Sequence, residues 1–132
     1  MPTALYLDAS AALKLVVEEA ESWALADWVA EHTLISSEVC RVEVARALLR
    51  LGLGAGADGL GRRVMNRIEL LRMDAGILDR ASEVGPQGLR ALDAIHLASA
   101  LTLDRELHAF ITYDRRLAGA AESEGLVVSA PA

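Results

Sequence analysis

Residues 91–100 read ALDAIHLASA, and how this stretch folds decides what the rest of the chain can be. On a helical period Asp93 falls among Leu89, Leu97, Ala100 and Leu101, in the middle of the apolar stripe. A carboxylate there is costly unless it is hydrogen-bonded, paired with a cation or bound to a metal ion. Two readings stay open. Asp93 either caps the helix N-terminus by accepting backbone N–H bonds, or it belongs to a charged site.

Outward from this helix, short apolar runs alternate with helical periodicity. Downstream, Ala109–Thr112 is a strand candidate, Asp114–Glu122 a helix and Leu126–Ser129 a closing strand. Upstream, Gly85-Pro86-Gln87-Gly88 is a turn, Ile77–Val84 a short helix and Ile68–Met73 a strand. The chain begins with a strand over Ala4–Leu7 ending at Asp8, then helices over Ala9–Glu18 and Glu21–Glu31. A strand at Thr33–Ser36 leads, through Ser37 as a cap, into a long helix ending near Leu51. Glycines 52, 54, 56, 59 and 61 are expected to form a loop, followed by a helical turn or two through Asn66. Arg62 and Arg63 follow the last glycine where a phosphate-binding loop needs Lys-Ser/Thr.

This alternation predicts one α/β domain over residues 1–132, with a mainly parallel sheet of about five strands. Ligands in such sheets bind beyond the carboxyl ends of the strands, near the point where the strand order reverses. Asp8 directly follows the first strand and Asp114 closely follows the fourth, so both carboxylates are expected on one rim.

Composition narrows the classes. Apolar residues make up 53% of the 132, above the disordered range, and no run is long enough to span a membrane. No basic segment or cleavage site precedes the first apolar run, so the expectation is a cytoplasmic domain. Cys40 is the only cysteine, which excludes an internal disulfide and a multi-cysteine zinc site. The net charge of −6 argues against a nucleic-acid partner, but the charge is uneven. Residues 41–72 carry seven arginines against three acids, and Lys14 is the only lysine. Arginine suits bidentate phosphate contacts, while a solvated helix face is the plainer reading.

Glu43 lies in a polar stripe with Arg46 and Arg50, and by itself is a surface ion pair. Asp8 and Asp114 read singly as helix caps, and Ser10 and Thr112 as turn hydroxyls. Their order and settings say more: Asp8 in YLDAS, Glu43 in RVEVAR, Asp93 in LDAIHLA and Asp114 in ITYDRRL. The series resembles the PIN-domain nucleases, most closely the ribonuclease toxins of VapBC toxin–antitoxin pairs. LDAIHLA together with T-x-D after an apolar strand is the specific part. The D-x-S after the first strand and the mid-helix glutamate are weaker. A response-regulator receiver needs an acidic pair after the first strand and a later lysine. A haloacid-dehalogenase-type phosphotransferase needs D-x-D where this chain has Asp8-Ala9-Ser10.

The resemblance implies a three-layer α/β/α fold in which Asp8, Glu43, Asp93 and Asp114 converge on one pocket. It implies Mg²⁺ or Mn²⁺ there and hydrolysis of RNA phosphodiester bonds by in-line attack of water. Hard oxygen donors without Cys or His favour those ions over zinc. Asp8, Asp93 and Asp114 would hold metal, Glu43 would ligate or orient the nucleophile, and Ser10 and Thr112 would fix the carboxylates. Where some related proteins carry a further acid, Arg115 and Arg116 stand here, available to phosphate. Arg46 and Arg50 would help frame an RNA groove in a homodimer. A VapB-type antitoxin would lie over the apolar surface near Trp23 and Trp28, with a basic side chain entering the acidic pocket. The alternative is a catalytically silent PIN-like module that binds RNA or protein. His96 is read as structural.

Overall fold

The computed structural model describes residues 2–132. Strand β1 (Ala4–Leu7) is buried at every residue, as a central strand covered on both faces must be. It pairs in parallel with β2 (Thr33–Ser37) on one side. Strand β3 (Glu69–Leu71) extends the sheet beyond β2. On the other side of β1 lies β4 (Leu107–Ile111), followed by β5 (Val128–Ser129). The order β3-β2-β1-β4-β5 is parallel throughout.

Side-chain alternation along β1 divides the core in two. Leu5 and Leu7 point to a layer built from α1 (Ala9–Lys14), α2 (Ser22–Val29), α3 (Val39–Leu51) and α4 (Ala55–Arg67). They pack there with Ala11, Leu25, Val44 and Leu48. Ala4 and Tyr6 point to the opposite layer, where α6 (Ala91–Leu101) and α7 (Arg115–Ser123) supply Leu97, Leu117 and Ala121. The short α5 (Ala75–Ala81) packs on α6. The expected three-layer α/β/α arrangement around a five-stranded parallel sheet is thus observed. The connections from β1 through β2 to β3 run along one face, and the chain then crosses to β4. The crevice of the strand-order reversal therefore opens at the carboxyl ends of β1 and β4. Among the described residues, no helix is long and apolar enough to cross a membrane.

Local expectations fail in three places. The glycine-rich stretch is not one loop. Only Gly52 (φ 61°, closing α3) and Gly54 (φ 91°) make the turn, and Gly56, Gly59 and Gly61 lie inside α4. Leu60 and Val64, four residues apart, pack on the core, and that burial outweighs the poor helix propensity of glycine. At Gly61 a Cβ would stand 2.8 Å from Leu48 Cδ1, so the missing side chain lets α4 lie close on α3. Second, Glu38 rather than Ser37 holds the cap position of α3, Ser37 closing β2 and accepting the Val39 N–H at 3.2 Å. Of the two readings open for Asp93 the cap is not the observed one, since Arg90 holds the cap position of α6 and Asp93 sits within its first turn. Third, the first helix stops at Lys14 rather than Glu18, and α5 starts at Ala75, where Asp74 accepts the Ile77 N–H at 2.9 Å.

Candidate active site

Asp8 leaves β1 as the cap of α1 and is only 3% exposed. Its Oδ1 accepts from Ala11 N at 3.0 Å and from Ser10 Oγ at 2.7 Å, and its Oδ2 accepts from Thr112 Oγ1 at 2.6 Å. Each hydroxyl is anchored in turn: Ser10 Oγ accepts from Tyr113 N, and Thr112 Oγ1 from Asp114 N, both at 3.0 Å. The ends of β1 and β4 are thereby tied together through one carboxylate. Burial pushes the Asp8 carboxyl above its ordinary value, and the bonds from Thr112, Ser10 and Ala11 only partly pull it back.

Asp114 caps α7, its Oδ1 accepting from Arg116 N at 2.8 Å and Leu117 N at 3.1 Å. Among the described residues its other oxygen makes no hydrogen bond, and Asp93 makes none with either oxygen. Asp93 and Asp114 face one another across a cleft of about 240 Å³ between the N-terminal ends of α6 and α7, lined also by Arg90, Arg115 and Arg116. Burial raises the Asp93 carboxyl, and repulsion from Asp114, Asp8 and Glu43 raises it further, with His96 opposing. Of the four acids named from the sequence, Asp93 and Asp114 line this cleft and Asp8 and Glu43 do not, although the charge of each raises the Asp93 carboxyl.

Glu43 reaches this neighbourhood from α3, in the other helical layer. Its Oε1 lies 2.6 Å from His96 Nε2, and His96 Nδ1 lies 2.7 Å from the Tyr6 hydroxyl. Tyr6 stacks on Phe110, with centroids 5.3 Å apart and planes 4° from parallel. His96 is 1% exposed. The structural reading of this histidine holds, and it is also the residue that joins Glu43 to α6.

Among the described residues no three His, Cys, Asp or Glu side chains gather tightly enough to hold an ion by themselves. Asp8 is fully engaged in hydrogen bonds, Asp114 has one oxygen uncommitted, and Asp93 has both. An open set of oxygen donors of this kind fits Mg²⁺ or Mn²⁺. Mg²⁺ keeps several waters and is held by one or two carboxylates together with substrate phosphate, whereas zinc sites, open or closed, are built on nitrogen or sulfur ligands, and no His or Cys lines this cleft.

Of the arginines named from the sequence, Arg115 and Arg116 line the acidic cleft and Arg46 and Arg50 do not. Arg46 instead flanks a groove of about 1280 Å³ between α3 and α4, with Arg41, Arg62, Val42, Leu48 and Leu49. Leu49 is 70% exposed there. Trp23 is exposed on α2, while Trp28 packs partly on the core beside His32 and His108. Sequence reading missed Arg90 and Tyr6. Arg90 directly precedes the LDAIHLA helix, and Tyr6 shares a strand face with Asp8 two residues on, which is the one signal pointing to it.

Residues 5–123 match the PIN domain family. The chain is similar to Ribonuclease VapC46 of Mycobacterium tuberculosis, 46% identical over 97% of this chain and 98% of that one. It is also similar to Ribonuclease VapC47 of the same species, 35% identical over 96% of each chain. The crystal structure of M. tuberculosis VapC20, described as a sarcin–ricin-loop-cleaving toxin, superposes with a TM-score of 0.73 over 96% of this chain and 99% of that one. At 15% identity that likeness is one of fold.

Proposed function

This chain belongs to the PIN-domain family, among its VapC ribonucleases, and we propose that its acidic rim cleaves RNA internally with the help of Mg²⁺ or Mn²⁺. The observation that carries the proposal is Asp93: a half-buried carboxylate with no hydrogen-bond partner among the described residues, repelled by three other acids. A fold does not keep such a group for stability. A divalent cation would offset that repulsion, neutralise charge developing on the phosphate and lower the pKa of water.

Asp93 and Asp114 are the residues with oxygens free to hold the cation, and Asp8 and Glu43 complete the charge around it, directly or through water. Ser10 and Thr112 hold Asp8 in a single orientation. Glu43 orients the attacking water for in-line displacement, and Arg90, Arg115 and Arg116 receive the substrate phosphates at the mouth of the cleft. The partners follow from the same reading. RNA is the substrate, and a VapB-type antitoxin is the regulator. In place of the surface near Trp23 and Trp28, the α3–α4 groove is its seat: the apolar floor is flanked by Arg41, Arg46 and Arg62 against Glu38 and Asp58, which suits an amphipathic segment of net acidic charge. Self-association as a homodimer and a cytoplasmic setting complete the proposal.

The test is RNA cleavage by Asp8→Asn and Asp93→Asn, each with its fold checked by circular dichroism. Loss of cleavage in both with the fold intact is expected. Undiminished cleavage by both refutes the assignment. Charge reversal at Arg46 and Arg50 asks separately whether that face also binds RNA, through loss of binding.

A further inference from the structure

We propose that Tyr6, acting through His96, is a positioning residue for Glu43: it holds the imidazole in the orientation that presents Nε2–H to the carboxylate. The inference rests on the reading of Glu43 given above. An ionised carboxylate can only accept, so the hydrogen in the 2.6 Å contact belongs to Nε2. Nδ1 lies 2.7 Å from the Tyr6 hydroxyl, which can donate to its lone pair or accept its hydrogen, so the ring is held at both nitrogens in the orientation that turns Nε2–H on Glu43. A ring with a bare Nε2 would set that lone pair against carboxylate oxygen. With His96 1% exposed, bulk water is not at hand to repair such a mismatch.

Two further observations support the role. Burial holds the Tyr6 phenol well above its ordinary value, so the hydroxyl keeps its proton. The Tyr6 ring is immobilised by its stack on Phe110. His96 also lies three residues beyond Asp93 on α6, so one helix sets the spacing between Asp93 and the Glu43 carboxylate, though Glu43 comes from the opposite layer. Among the described residues the bond from His96 is the only one Glu43 makes through its side chain.

The direct test is ¹⁵N NMR of the histidine ring in the unmodified protein at neutral pH. It is expected to find Nε2 protonated, and a ring protonated on Nδ1 alone overturns the proposal. Tyr6→Phe keeps the stacked ring and removes only the hydroxyl. It is expected to free the ring at Nδ1 and to lower kcat for RNA cleavage about tenfold, the low end of what loss of a supporting partner costs, with KM unchanged. His96→Gln offers an amide N–H to Glu43 that does not depend on Tyr6, so adding Tyr6→Phe to it should lower kcat no further. An unchanged rate in Tyr6→Phe, or an equal loss in both backgrounds, overturns the role. Full activity of Glu43→Gln would instead overturn the functional reading beneath it, and the spectrum of the unmodified protein keeps the two failures apart.

Discussion

Replacing Thr112 by Val preserves the shape of a side chain that is 1% exposed and removes one oxygen. That oxygen donates to Asp8 Oδ2 at 2.6 Å and accepts the Asp114 N–H at 3.0 Å. A hydrogen bond to a charged acceptor contributes about 1.5–3 kcal/mol, and an orphaned N–H costs about 1 kcal/mol, so the combined loss is about 3 kcal/mol. Unfolding entropy near 2.1 cal/mol/K per residue, over 132 residues, turns this into a fall in Tm of roughly 11 °C. Thr112→Ser keeps the hydroxyl and loses a methyl, about 1 kcal/mol or roughly 4 °C. The pH dependence adds a second signature. The folded Asp8 carboxyl lies above its ordinary value, so the stability linked to it is fully present below the ordinary carboxylate pKa and is lost as pH rises through the raised value. Thr112 is the strongest of the groups that pull this carboxyl back down, so its loss raises it further. The deficit of Thr112→Val should therefore widen from acid to neutral pH. Melting followed by circular dichroism at several pH values decides the matter. A Thr112→Val protein within about 3 °C of the parent at neutral pH, or a serine variant equally damaged, would refute this account of the strand ends.

Further outcomes are expected. Asp93→Asn should melt higher than the parent in the absence of divalent ions. The raised Asp93 carboxyl makes its ionised form a net cost above the carboxylate range, a cost the amide lacks. The same variant should lose the stabilisation that Mg²⁺ confers on the parent in a thermal shift titration. Chelation with EDTA should stop cleavage by the parent, and Mg²⁺ or Mn²⁺ should restore it; cleavage persisting in EDTA would refute the metal requirement. Arg115→Gln and Arg116→Gln should each weaken RNA binding and flatten its logarithmic salt dependence by about 0.7, the value for one lost phosphate contact on a single strand. Gly56→Ala, a position with open space around it inside α4, should stabilise the fold by about 0.5–1 kcal/mol in urea denaturation, a gain a loop glycine would not give.

Signals confined to a few neighbouring residues were legible without coordinates. The apolar run into Asp8, the strand-then-T-x-D at Asp114 and the alternation of periods are set by local sterics and burial, and they carry the parallel sheet, its layers and its acidic rim. The cap reading of Asp8 and Asp114 holds, and in each a single oxygen caps the helix: the other oxygen of Asp8 accepts from Thr112, and that of Asp114 makes no hydrogen bond among the described residues. Asp93 could not be decided locally. The turn at Gly85, where the chain adopts φ 77° against Leu89, leads into a helix that starts at Ala91, two residues before the carboxylate.

What the tertiary structure alone decided lies in pairs far apart along the chain. Glu43 meets His96 across 53 positions and Tyr6 meets His96 across 90. Thr112 reaches Asp8 across 104, and a glycine-rich segment becomes a helix because α3 is there to pack against. Periodicity and capping act within a turn or two of the backbone. Which hydroxyl supports which carboxylate depends on how the layers close over the ends of the strands, and that follows from the whole fold.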